Sequence, residues 1–138
     1  YLDTWRILTM AFGRNATAEL IKPLDGAVIR RFTAGATIAA GEIVAMMADG
    51  YVDPADTSNF TAACVVGIAI QAAVSGQRID VVTHGPVVCL QEATPASIIF
   101  ASDTAGEPAV AVGTKDVVVG FAESATVLFV RPEFIDLS

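Results

Sequence analysis

Val65-Val66-Gly67-Ile68-Ala69 returns later in the chain as Val118-Val119-Gly120-Phe121-Ala122. Each copy follows a related stretch. Ala40-Gly41-Glu42-Ile43-Val44-Ala45 leads to Asp49-Gly50, and Ala96-Ser97-Ile98-Ile99-Phe100-Ala101 leads to Ala105-Gly106. A glycine inside an apolar strand weakens it unless a bulge or a close backbone approach requires it. Its recurrence at matched places predicts a built-in architectural need. The chain therefore reads as two successive half-domains of extended structure, about 27–92 and 93–138, behind an N-terminal arm over 1–26.

Working outward, the text from Ala27 onward has the rhythm of short strands. Val28–Thr33 and Glu42–Ala48 read as strands, and Asp49-Gly50 is a hairpin signal before Tyr51-Val52. Ala63–Gln71 reads as a buried strand. In Gln77–Thr83, Ile79, Val81 and Thr83 alternate with Arg78 and Asp80, which predicts one wet and one dry face. His84-Gly85-Pro86 reads as a turn into Val87–Gln91. Further strands are expected near Ser97–Ala101, Pro108–Val112, Val117–Ala122 and Thr126–Arg131. Turn signals at short, regular intervals predict an all-β fold, a small barrel or sandwich. Neither a long amphipathic helix nor a βαβ unit is read.

The first 25 residues differ from this text. Tyr1, Trp5, Leu8 and Phe12 have helical spacing, whereas Leu8, Met10 and Phe12 alternate as in a strand, so the two templates tie. Thr17–Lys22 is expected to make one helical turn, and Pro23-Leu24-Asp25-Gly26 closes the segment. An aromatic-rich segment of this kind is either docked on its own domain or reserved for a partner.

Composition narrows the function classes. The chain has 138 residues, of which 54% are hydrophobic and 17% charged, with 24 alanines and 17 valines. Such a chain has few polar groups with which to cover its surface, which predicts an oligomer. The net charge is −7, with only two lysines and six arginines. Nucleic-acid binding and attachment to anionic membranes both need clustered cations, so neither is expected. The uncharged run Thr57–Gln77 is interrupted by Ser58, Asn59, Gln71, Ser75 and Gly76, and a membrane span is rejected. No cationic leader with a cleavage pattern is read. Cys64 and Cys89 sit in apolar runs and are expected to be buried thiols, with a disulfide between them left open.

No arrangement of reactive side chains calls for catalysis. His84 is the one histidine and lacks a partner motif. Asp49, Asp53 and Asp56 gather around one hairpin and loop, but not at EF-hand spacing. They read as turn residues, with a weak divalent site as the residual alternative. Gly113-Thr114-Lys115 resembles the tail of a P-loop, yet Pro108 stands where the upstream glycine belongs. No enzyme activity, cofactor or metal is expected.

Seven short pieces, six of them marked by a glycine, then occur in a telling order: Thr33-Ala34-Gly35-Ala36, Ile38-Ala39-Ala40-Gly41-Glu42-Ile43-Val44, Asp49-Gly50-Tyr51-Val52, Val66-Gly67-Ile68-Ala69, Ala72-Ala73-Val74-Ser75-Gly76, Ile79-Asp80-Val81-Val82 and Gly85-Pro86-Val87-Val88. In this order the chain resembles the small head-decoration (cement) proteins of tailed bacteriophages, the lambda-type capsid stabilisers and their prophage relatives. The resemblance implies a β-clip or β-tulip fold and a homotrimer on the outer surface of the virion capsid, made in the host cytoplasm. It implies the major capsid protein as partner, contacted by the arm through Tyr1, Leu2, Trp5, Leu8 and Phe12. The arm departs from the family pattern, being long and aromatic where lambda-type arms are small and polar. A different class of function, a β-clip module or head-fibre component binding a carbohydrate or cell-surface ligand, would use Tyr51, Phe60 and the loop Asp53–Asn59.

Overall fold

The computed structural model describes residues 11–58 and 64–134. Its strands are β1 (Gly13–Arg14), β2 (Lys22–Pro23), β3 (Val28–Thr33), β4 (Ile43–Met46), β5 (Val52–Pro54), β6 (Val65–Ala69), β7 (Arg78–Val88), β8 (Leu90–Gln91), β9 (Ile98–Ala101), β10 (Pro108–Ala109), β11 (Val117–Ala122) and β12 (Val127–Phe134). A single 3₁₀ turn spans Ala18–Leu20, within the segment expected to be helical. The fold is all-β, as the strand rhythm predicts. Eight strands in the order β10-β9-β11-β12-β7-β6-β4-β5 form a curled, antiparallel half-barrel. Strands β2 and β3 join it through β7, and β1 pairs with β8 in a separate small sheet.

The repeated sentence is a repeated structure. Strands β5-β4-β6-β7 and β10-β9-β11-β12 are two four-strand units with the same order. Their registers agree residue by residue. Ile43 faces Ile68 and Val44 faces Gly67 in the first unit, as Ile98 faces Phe121 and Ile99 faces Gly120 in the second. Ile68 faces Val82 as Phe121 faces Phe129. Both units break register beside the glycine, between Val44 and Ala45 in one and between Val118 and Gly120 in the other. A Cβ on Gly67 would overlap the carbonyl oxygen of Val82, and one on Gly120 that of Phe129. The glycines are therefore required by a close backbone crossing at a β-bulge.

The two units bury different faces. The main core joins Ile43, Ala45, Ile68 and Val82 of the first unit to Ile99, Ala101, Val119, Ala122, Leu128 and Val130 of the second. Side chains alternate along a strand, so the other face of the first unit carries Val44, Ala69, Ile79 and Val81. Ala34, Ile38 and Ala73 cover that face in a second core. In the aligned registers, Ile99, Ala122 and Leu128 correspond to Val44, Ala69 and Val81. The molecule is thus layered: a covering segment around Ala34–Ile38, the first sheet, the second sheet, and then the outer face of the second sheet.

Several expectations are corrected. His84-Gly85-Pro86 is not a turn between strands; it lies inside the eleven-residue β7. Before Gly85 this strand pairs with β6 and β3, and after it with β12 and β2. Gly85 (φ +108°) takes up the bend, packed against Ala27. The strand expected over Pro108–Val112 stops at Ala109, leaving Val110 and Val112 exposed. Both cysteines are free thiols, but only Cys89 is buried, and Cys64 is exposed. Burial pushes the Cys89 thiol up to about 12, because a thiolate there would have no water. Among the described residues no helix is long and apolar enough to cross a membrane.

Candidate functional site

The outer face of the second unit combines exposure with apolar chemistry. Ile98, Phe121, Phe129 and Pro86 stand opposite one another across β9, β11, β12 and β7. Directly opposed side chains on one face are close enough to pack as pairs. Phe121 stacks on Phe129 with ring centroids 5.3 Å apart, and His84 meets Phe129 edge-on at 5.2 Å. Ile98 remains 53% exposed and Phe121 39%. Beside this row lies a groove of about 270 Å³ lined by Ile98, Val118, Gly120, Phe121, Arg131 and Glu133. Arg131 and Glu133 follow Phe129 at two-residue steps along β12, so they edge the same face. Both are exposed, and neither forms an ion pair among the described residues.

Of the arm residues, Tyr1, Leu2, Trp5 and Leu8 lie outside the described residues. Phe12 is half-buried and packs against the main core. The chain just after it is tied down. Gln91 donates from Nε2 to the carbonyl of Ala11 (3.1 Å), and Asn15 N–H donates to the carbonyl of Cys89 (2.9 Å). Arg14 Nε pairs with Glu107 at 2.8 Å, and its Nη1 donates to the carbonyl of Ala40 at 3.2 Å. Ile21 is buried in the core and β2 lies on β7.

The remaining candidates are scattered. His84 contacts an aromatic ring and has no acid–base partner among the described residues. Asp49 Oδ1 accepts from Tyr51 N–H (2.9 Å), and Asp56 Oδ1 accepts from Ser58 N–H (3.0 Å), as turn residues do. Asp53 Oδ1 is sealed beneath Gly35 without a hydrogen bond. That burial, and then the Asp49 charge, hold the Asp53 carboxyl above its usual range. Among the described residues no group of three or more His, Cys, Asp or Glu is placed to hold a metal ion. Tyr51 is exposed, while Asn59 and Phe60, its expected companions in a ligand loop, lie outside the described residues. In the segment that resembles a P-loop tail, Asp103 accepts from Thr114 N–H (2.9 Å), Thr114 Oγ1 (2.8 Å) and Thr57 Oγ1. Those donors hold the Asp103 carboxyl below its usual range. The segment is an anchored loop. Two adjacent arginines on β3 are engaged too: Arg31 Nε donates to Asp80 (2.9 Å), and Arg30 lies over the Phe32 ring at 5.3 Å.

Sequence reasoning did not single out Ile98, Phe121, Phe129, Arg131 or Glu133. The available signal was the exchange of Ile68 for Phe121 between the copies, an aromatic where its twin is aliphatic. No protein-family model matches the chain, and no curated protein matches it.

Proposed function

We propose that the protein is a structural virion component that binds the outer surface of an assembled phage capsid as a homotrimer and stabilises the shell through the major capsid protein. The observation that carries this reading is the ordered set of short sequence pieces, whose glycines serve turns, a crossing and a bend of one β scaffold. Gly50 closes the β4–β5 hairpin, Gly67 sits at the strand crossing, Gly76 ends the loop before β7 and Gly85 bends β7.

The physical chemistry suits the role. A protein that binds the assembled shell and not its free subunits stabilises the shell by mass action. Three arms on one trimer add avidity, so each contact can be individually weak. Closed three-fold symmetry covers apolar surface without growth into fibres. The net charge of −7 keeps a densely decorated particle soluble.

Sedimentation tests the reading. Purified protein is mixed with empty shells assembled from the major capsid protein of the phage or prophage that carries it. It should pellet with the shells in a fixed ratio and raise the temperature at which they come apart. Absence from the pellet overturns the capsid role. The double substitution Tyr1→Ala, Trp5→Ala in the full chain should weaken shell binding about tenfold, or about 1.4 kcal/mol. Unchanged binding overturns the role of the arm alone.

A further inference from the structure

We infer that the outer face of the second unit, built from Ile98, Phe100, Val118, Phe121 and Phe129, is the surface through which copies of this chain meet. The partner is a second copy, and the three-fold arrangement rests on the reading proposed above. The argument begins with the duplication. In the aligned registers these five residues correspond to Ile43, Ala45, Val65, Ile68 and Val82 of the first unit. All five of the latter are buried in the main core, where the second sheet of the same chain covers them. The positions in the second unit are equally apolar and more aromatic, yet no layer of the described chain lies over them. Among the described residues, the surface that covers such a face is therefore this chain's own β-sheet. Aromatic residues and arginine are the side chains enriched where subunits meet.

The edge charges agree with a contact between copies. Arg131 and Glu133 share the edge of the groove with opposite signs and without ion pairs among the described residues. Around a symmetry axis, Arg131 of one copy faces Glu133 of the next, and the same pairing recurs at every contact. Three such patches converging on the axis form a closed head-to-tail ring, in which the positive edge of each copy meets the negative edge of the next. The low share of charged residues, 17%, fits a chain that leaves part of its apolar surface to its copies.

The test is mass in solution by light scattering, with far-UV circular dichroism to verify folding. Wild-type protein should be a trimer at micromolar concentration. Ile98→Thr, Phe121→Thr should remain folded and fall to the monomer mass. Arg131→Glu alone should weaken association at least tenfold, and Arg131→Glu, Glu133→Arg together should restore it. Restoration by the double reversal requires the two positions to face each other across copies, and it also serves if the threonine variant fails to fold. A wild-type trimer that neither the threonine nor the charge variants disturb overturns this inference and leaves the three-fold reading standing. A wild-type dimer that the same variants dissociate supports the face and overturns the three-fold reading. A wild-type monomer overturns both.

Discussion

Ile68 and Phe121 hold the same station in two four-strand units, one sealed under a second sheet and the other facing solvent. The units share strand order, register and the glycine crossing, so backbone geometry does not separate them. Their difference is positional. The first unit lies between the Ala34–Ile38 segment and its twin, and among the described residues the second has a neighbour on one side only. Duplicating a sheet duplicates its sticky faces, and stacking two copies leaves one face over. The first copy meets this condition with a covering segment, and the second keeps a row of aromatic side chains.

Three pairs of substitutions break or sharpen this comparison. The largest effect is expected at the crossings. Gly67→Ala and Gly120→Ala should each cost about 3 kcal/mol or more, because the new methyl group meets a neighbouring backbone carbonyl that cannot retreat. Urea denaturation measures both. A silent Gly120→Ala would break the equivalence of the units. The next effect separates their faces. Ile68→Ala should cost about 2–5 kcal/mol as a cavity in a closed core. Phe121→Ala should cost about 1 kcal/mol, from its lost stack on Phe129, when unfolding is followed at a concentration low enough to keep subunits apart. Equal losses would mean that both faces are covered within one subunit.

The smallest effect is a contrast in pH dependence between Asp53 and Asp103. The folded carboxyl of Asp53 is raised above its ordinary value of 3.8 by burial and then by Asp49. Its contribution to stability is present below that value and is lost as pH rises through the folded value. Asp53→Asn should therefore raise stability at neutral pH. Asp103 is lowered by its threonine donors, so its contribution is present above 3.8 and is lost as pH falls through the folded value. Asp103→Asn should lower stability at neutral pH and change nothing in strong acid. Urea midpoints in both conditions read the two signs, and two slopes of one sign would contradict the assignments.

Much of the architecture was legible in the chain because backbone requirements leave letters behind. Gly67 and Gly120 announced the crossings, and Asp49-Gly50 announced a hairpin. Which face of each strand is buried was not legible. Val65-Val66-Gly67-Ile68-Ala69 and its copy are apolar on both faces, so period-two alternation gives no direction, and the bulge shifts its phase. The continuity of β7 was hidden for a related reason. His84-Gly85-Pro86 has the composition of a turn, but its backbone groups find partners on neighbouring strands that lie far away in sequence. Cys64 and Cys89 have similar neighbours in the chain, and their opposite exposures follow from tertiary packing alone. The outer aromatic row was hidden as well, since nothing in the chain separates half-buried Phe100 and Phe129 and exposed Phe121 from interior residues until the stacking order is known.

Strand β7 is the seam where both halves are sewn together, since β2, β3, β6 and β12 all hydrogen-bond to it. Neither half can let go of this strand without exposing the amides of the other. The duplicated pieces have thereby lost their independence: heat or denaturant should melt them in one concerted step, and the last amide protons to exchange with solvent should be those in the middle of this seam.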